Sequence, residues 1–151
     1  MKSWKKLLEL ERVVELEPPN TAEITQRIRL ARLAVEESKT PGLRPGRSYQ
    51  ILYEAAYRWS EVVIRVEGWR TKGEGHHETL FSALPHFLGR NAVSVARFLD
   101  RCRRRRNVVV YGIEYPPVTD NQVSELANAV NELDSIIMSW LKSEHPELNL
   151  S

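Results

Sequence analysis

A long apolar stripe near the end of the sequence constrains the fold more than any other feature. Its members recur every three or four residues: Val123, Leu126, Ala127, Val130, Leu133, Ile137, Trp140 and Leu141. This spacing is typical of one face of an α-helix. Thr119 and Gln122 form the capping-box pattern that begins a helix, and Pro146 ends it. Because such a helix must bury its stripe, the sequence predicts a core of packed helices.

Three further stretches carry the same helical period. They span about 20–40, 47–69 and 80–102. The first opens with Asn20 and Glu23, at the spacing at which each side chain can bond the other's backbone N–H. The third is expected in two segments because proline and glycine interrupt it over 85–89.

The number of these stretches defines the expected architecture. Four amphipathic helices with short connections predict an all-α fold, an antiparallel bundle of four to five helices. A short N-terminal helix over about 3–17 is expected to precede the bundle and to stop at Pro18-Pro19. At 151 residues the chain has the size of one domain, so residues 1–151 are expected to form a single domain.

Two short patterns admit more than one interpretation. Tyr49, Tyr53 and Tyr57 lie at i, i+4 and i+8 beside the second apolar stripe, which favours edge residues of the core over a stacking platform. Residues 108–111 are three valines and a tyrosine, which favour a strand by propensity. Since no partner strand is evident, we expect an extended linker or the frayed end of the third helix.

Positive charge is concentrated at one place. The formal net charge is only +2, yet five of the 22 Lys and Arg residues lie between Arg101 and Arg106. Either these arginines end a helix and face solvent, or they form a phosphate- or RNA-binding patch. In the second case Arg105, Arg106 and Asn107 should face a cleft, whereas Arg101 and Arg104 should point outward.

Several classes of function lack their sequence signatures. Because no apolar run reaches the roughly 18 residues of a membrane span and no secretion signal opens the chain, we expect a cytoplasmic protein without membrane contact. No phosphate-binding loop or dinucleotide motif is present, and no cofactor is expected. His76 and His77 are adjacent and would point about 100° apart on a helix, so no metal site is expected. Cys102, the single cysteine, is expected as apolar filler.

Three motifs and their order carry a resemblance to a known family. Glu67-Gly68-Trp69-Arg70 ends the second helix, Gly75-His76-His77 precedes the third, and Arg106-Asn107-x-x-x-Tyr111 precedes the final one. In this order the chain resembles the HEPN family (higher eukaryotes and prokaryotes nucleotide-binding) over most of its length. The resemblance implies a four- or five-helix bundle with its active-site motif near the start of the last long helix.

The resemblance also implies a function. HEPN proteins usually form dimers, and many are metal-independent endoribonucleases in which arginine and histidine from both protomers meet in an interface cleft. From this resemblance the chain is expected to be a homodimer that binds RNA or a nucleotide, as the ribonuclease-like member of a toxin–antitoxin or defence pair. Branches with tyrosine in place of the histidine include members that resemble toxin–antitoxin partners encoded beside a minimal nucleotidyltransferase, which implies that enzyme as a partner.

The site residues follow from the same resemblance. Arg106 matches the motif arginine, Asn107 the polar residue after it, and Tyr111 takes the place of the histidine, so Arg106 and Tyr111 are the catalytic candidates. The binding candidates are Arg103, Arg105, Arg106, Asn107 and His77. Because tyrosine ordinarily ionises near pH 10, deprotonating it at neutral pH costs roughly 4 kcal/mol, so tyrosine at position 111 is a weaker general base than histidine. Arg106 can still hold a phosphate where hydrolysis is lost.

The tyrosine at this position leaves two other hypotheses open. In one, the chain is a catalytically inert helical protein-interaction module. In the other, Tyr111 or a neighbouring tyrosine is modified by the partner nucleotidyltransferase.

Overall fold

The computed structural model describes residues 3–9, 14–71 and 76–150, and this part of the chain is mostly helical, in agreement with the predicted all-α class. The elements are α1 (Trp4–Glu9), β1 (Val14–Leu16), α2 (Thr21–Glu37), α3 (Pro45–Val66), β2 (Trp69–Thr71), α4 (His76–Leu88), α5 (Val93–Tyr111) and α6 (Asp120–Glu144). Short 3₁₀ turns precede α5 and follow α6. None of the helices in the described ranges is both long and apolar enough to span a membrane.

Helix α3 lies at the centre of the fold and packs against α2, α4, α5 and α6. Its second half is buried on nearly every side, from Trp59 and Ser60 through the run 62–66. A helix that is buried all round belongs in a core rather than at a surface. The other helices bury one stripe each, so α3 holds the bundle together.

The final helix α6 agrees closely with its prediction. The Thr119 hydroxyl accepts a hydrogen bond from the Gln122 N–H at 3.2 Å, and the Gln122 side chain accepts one from the Thr119 N–H at 3.1 Å. Helix α6 begins at Asp120 and ends at Glu144, just before Pro146. The predicted capping box is therefore complete.

The cap of α2 is only half of the predicted box. Asn20 Oδ1 accepts a hydrogen bond from the Glu23 N–H at 3.0 Å. The Glu23 carboxylate pairs with guanidinium groups instead of the Asn20 backbone: Arg27 and Arg65 are each 3.0 Å away, and Arg70 is 3.6 Å away. Hydrogen bonds between a carboxylate and a guanidinium are stronger than those to a neutral backbone N–H. The Glu23 carboxylate therefore binds the arginines and does not complete the cap.

The predicted N-terminal helix over about 3–17 is present over Trp4–Glu9 and wrong over Val14–Leu16. Residues 10–13 lie outside the described residues, and Val14–Leu16 form a strand antiparallel to Trp69–Thr71. The Glu17 N–H continues the pairing by donating to the Gly68 carbonyl at 2.9 Å. Gly68 has a φ of +84°, a conformation that lets the chain leave α3 and enter β2. The partner strand of β1 is therefore β2, which begins at Trp69. The periodicity assigned that residue to the end of the second helix.

The third predicted helix is two helices, α4 and α5, separated at Gly89, whose φ is +87°. Helix α5 continues through residues 108–111, so the extended linker is wrong, and the segment is the end of the third predicted helix. The Gly112 N–H closes the helix by donating to the Val108 carbonyl at 3.0 Å. Extending an existing helix adds one backbone bond per residue, whereas an isolated strand gains none, and this outweighs the β propensity of three valines.

Candidate functional site

Arg106 lies where the end of α5 meets α3 and the beginning of α4. Its guanidinium carbon is 5.5 Å from the ring centroid of Tyr53 and 5.6 Å from that of Tyr111. A guanidinium over an aromatic face is stabilised by the ring quadrupole. The structure therefore brings together Arg106 and Tyr111, the two residues that the sequence predicted as catalytic, and adds Tyr53 to them.

His77, in the first turn of α4, is held by two tyrosines of α3. The Tyr53 hydroxyl forms a hydrogen bond of 2.7 Å with His77 Nδ1, and the two rings are stacked at 12° with centroids 5.6 Å apart. The Tyr57 ring lies 4.7 Å from the histidine ring on the same helix face. Tyr53 itself is 2% exposed and packs edge-on against Phe81. The imidazole is thus anchored to the protein core.

These residues border two adjoining openings that share His77 and Arg106, together named here the Arg106 cleft. The larger opening, about 390 Å³, is also lined by Tyr53 and Tyr57. The smaller opening, about 270 Å³, is completed by Glu78, Arg103, Asn107 and Tyr111. Four of the predicted binding residues, Arg103, Arg106, Asn107 and His77, therefore meet in one place.

The charges around the cleft favour an anion. Arg103 is paired with Asp100 at 3.1 Å, and Arg58 with Glu54 at 3.0 Å. Arg106 donates a hydrogen bond of 3.4 Å to the neighbouring Asn107 amide oxygen, and no carboxylate within the described residues forms an ion pair with it. A guanidinium in this situation can offer its donors to a phosphate or carboxylate of a ligand.

The phenols in the cleft wall are poor bases at neutral pH. Burial raises the pKa of Tyr57 to about 12. Burial raises the pKa of Tyr53 further above the usual value, although the nearby charge of Arg106 opposes the shift. Both hydroxyls therefore stay protonated and act as hydrogen-bonding groups.

Arg105 lies apart from the other four predicted binding residues. Its guanidinium donates to the Pro116 carbonyl, and its Nε is buried with no partner among the described residues. Arg105 does not line the Arg106 cleft. Successive helical residues point about 100° apart, and here Arg105 is directed to Pro116 while Arg106 faces the cleft. Arg101 and Arg104 are exposed, as predicted.

Tyr53 and Tyr57 are the site residues that the sequence interpretation missed. Their spacing assigned them to the edge of the core, and Tyr53 does belong to the buried core. The i, i+4 spacing also places both rings on one face of α3, and this was the available signal. Nothing local indicated that His77, from a distant part of the chain, would pack against that face.

The end of α5 and the loop after it expose large apolar side chains. Val108, Val110, Tyr111, Ile113 and Tyr115 are 39%, 38%, 78%, 88% and 81% exposed and are named here the 108–115 edge. The edge is held in place by Glu114, whose carboxylate accepts a hydrogen bond from the Val118 N–H at 2.9 Å. Large exposed apolar side chains close together along a chain are candidates for an interaction site.

The described residues contain no group of three or more His, Cys, Asp or Glu side chains placed to hold a metal ion. His86, near the end of α4, stacks against Trp4. Cys102 is buried in the apolar core, as predicted.

Comparison of the chain with family models, with curated proteins and with solved structures gives no match. What the cleft binds is therefore inferred from its own chemistry.

Proposed function

We propose that the chain is a HEPN-type helical bundle that binds RNA or a nucleotide in the Arg106 cleft. One observation carries the proposal: Arg106 lies over two tyrosine rings, beside His77 and Asn107, and forms no ion pair with a carboxylate of the described residues. The motif order that resembles the HEPN family supports the same residues. The all-α bundle provides the scaffold that this family would require.

The side chains suit a nucleotide for separate reasons. A guanidinium matches the geometry of a phosphate and binds it through two parallel hydrogen bonds. An exposed tyrosine ring such as that of Tyr111 can stack on a base, and basic and aromatic side chains in one groove are typical of single-stranded nucleic-acid binding. The larger opening, at about 390 Å³, lies within the size range of small-molecule pockets.

Substitution of Arg106 tests the binding function. We expect Arg106→Ala to weaken binding of a labelled single-stranded oligoribonucleotide roughly 10- to 100-fold, because a charge-assisted phosphate contact is lost. The slope of log affinity against log salt concentration should become shallower by about the amount that one phosphate contact contributes. Fluorescence anisotropy over a salt series measures both quantities.

Arg104→Ala is the matched control, because Arg104 is exposed on the same helix outside the cleft. It should change affinity far less than Arg106→Ala. Equal losses in the two variants would mean that the helix attracts RNA only through its overall charge. Absence of RNA and nucleotide binding by the unmodified chain would reject the proposed function.

The 108–115 edge is proposed to pair with a second copy of the chain, which places Tyr111 at the dimer interface. The support is the exposure of its apolar side chains and the homodimer implied by the family resemblance. We expect Ile113→Asp to convert the dimer to a monomer, measured by sedimentation. Ile113 is 88% exposed, so the monomer should keep its stability. Leu33→Asp, on the surface of α2, should leave the dimer intact, and a monomeric unmodified chain would reject the pairing.

The inert protein-interaction module is the second candidate function, favoured by the same exposed edge. RNA cleavage that Arg106→Ala abolishes would exclude it. The role in a toxin–antitoxin or defence pair, the nucleotidyltransferase partner and modification of Tyr111 rest on the resemblance alone. Intact mass after co-expression with a nucleotidyltransferase tests the modification.

A further inference from the structure

A second opening lies at the far end of α4 from the Arg106 cleft. It is bordered by Glu67, by residues 86–88 at the end of α4, and by α6 from Ser135 to Glu144, and is named here the Glu144 groove. Its volume is about 740 Å³, nearly twice that of the larger opening of the Arg106 cleft and within the size range of small-molecule pockets. The two sites share no lining residue.

Three helices end at the Glu144 groove. Glu67 directly follows the last residue of α3, Leu88 is the last residue of α4, and Glu144 is the last residue of α6. The C-terminus of an α-helix carries a partial negative charge, because its last carbonyl groups lack partners within the helix. The three helix ends therefore add to the negative charge of the two carboxylates.

The side chains of the groove are suited to a cation. No lysine or arginine is among the described residues that line it. Glu144 is exposed and forms no ion pair or hydrogen bond with another described side chain, and the hydroxyls of Ser135 and Ser139 likewise have no partner within the described ranges. Carboxylate and hydroxyl oxygens can all accept from an ammonium group, which has three donors. Charge complementarity therefore favours a cationic ligand over a phosphate or a carboxylate.

His145, a residue of the groove itself, already places nitrogen donors in these surroundings. Its Nε2 lies 2.8 Å from Glu67 Oε1, and its Nδ1 lies 3.2 Å from Glu147 Oε1. Its ring packs edge-on against that of Trp140, with the centroids 4.8 Å apart. An ionised carboxylate can only accept a hydrogen bond, so each contact uses an N–H group. An ammonium group beside Glu144 would meet the same kinds of neighbour, carboxylates and an indole ring.

The groove is longer than a single ammonium group. Ser135, Ser139 and Ser143 recur every four residues and so lie along one face of α6. At a rise of about 1.5 Å per residue, this row of hydroxyls extends over roughly 12 Å. Apolar side chains, including those of Phe87 and Ile136, line the same groove. A chain of methylene groups that carries several ammonium groups matches both kinds of surface.

We propose that the Glu144 groove binds a linear polyamine. Glu144 and Glu67 hold one ammonium group at the end where the three helices terminate. The methylene chain packs against Phe87 and Ile136, and a further ammonium group donates to the serine row. This site goes beyond the proposed function and does not depend on it.

Spermidine is the probe, titrated by calorimetry into the full chain freed of nucleic acid. We expect one site per chain. Glu144→Gln and Glu67→Gln should each weaken binding roughly 5- to 20-fold, because each removes a charge-assisted hydrogen bond. Glutamine at position 67 keeps an oxygen that can accept from His145, so the fold should be retained. In NMR spectra the indole N–H of Trp140 should shift on titration, whereas that of Trp59, which is fully buried, should not.

Glu132→Gln is the matched control, because Glu132 is an exposed carboxylate on the same helix outside the groove. It removes the same charge and should leave affinity within about twofold. Equal losses in all three variants, Mg²⁺ binding as tight as that of spermidine, or no spermidine binding would each overturn the proposal. Arg106→Ala should bind spermidine like the unmodified chain, and Glu144→Gln should bind RNA like it. Failure at one site is therefore distinguishable from failure at the other.

Discussion

Replacing Arg65 with methionine is expected to lower the free energy of unfolding by about 3 kcal/mol. Arg65 is 2% exposed, and its guanidinium donates to the backbone carbonyls of Glu17, Pro18 and Trp69 at 3.0–3.2 Å. It also binds both carboxylate oxygens of Glu23, at 3.0 and 3.2 Å. One side chain therefore ties the end of α3 to the beginning of α2 and to β2. Methionine fills much of the volume but leaves these acceptors without a donor.

Urea unfolding at neutral pH measures the loss, with Arg58→Met as the matched control. Arg58 is on the same helix and, among the described residues, forms one ion pair, with the exposed Glu54, so its replacement should cost under about 0.5 kcal/mol. A similar loss in both variants would mean that Arg65 contributes no more than a surface arginine.

The pH dependence gives a second readout of the same contact. Hydrogen bonding by Arg65, followed by Arg27, holds the pKa of Glu23 below its usual value despite partial burial. A carboxyl whose pKa is lowered in the folded state stabilises the protein above its unfolded pKa of about 4.3. That contribution is lost as the pH falls through the folded value. The Arg65→Met variant should therefore lose less stability on acidification than the unmodified chain.

Truncating Leu133 to alanine is expected to lower the free energy of unfolding by about 2–5 kcal/mol. Leu133 is fully buried in the middle of α6 and belongs to the main apolar core that α6 shares with α3. The loss has two causes: the removed methyl groups no longer leave water on folding, and a cavity remains where the neighbours cannot collapse.

Leu33→Ala provides the same substitution at a helix position that is 42% exposed. It should cost well under half as much, because little area is removed from water and no closed cavity forms. Thermal and urea unfolding of both variants measure the difference. If the two losses were equal, the apolar stripe that predicts α6 would not be the stripe that stabilises the fold.

Local chemistry determined the helices and their boundaries. The 3.6-residue period of apolar positions specified the helices, and the Thr119 cap and the prolines specified where they begin and end. These local patterns gave the wrong structure at two places. Residues 14–16, predicted as helix, form a strand, and residues 108–111, which favour a strand by propensity, are helical. In the first case a distant strand offered backbone partners, and in the second no strand did. Both outcomes depend on which segments meet in space, and short-range patterns carry no such information.

The candidate site divides in the same way. The sequence by itself determined that arginines crowd the end of one helix, and the motif order selected Arg106, Asn107 and Tyr111 from them. Only the tertiary structure decided that Arg105 turns away, that Tyr53 and Tyr57 form a wall, and that His77 lies against it at 2.7 Å from the Tyr53 hydroxyl. The physical reason is that a site is assembled from side chains on three helices. Their relative placement follows from how the buried faces of α3, α4 and α5 pack, and not from the order of residues along the chain.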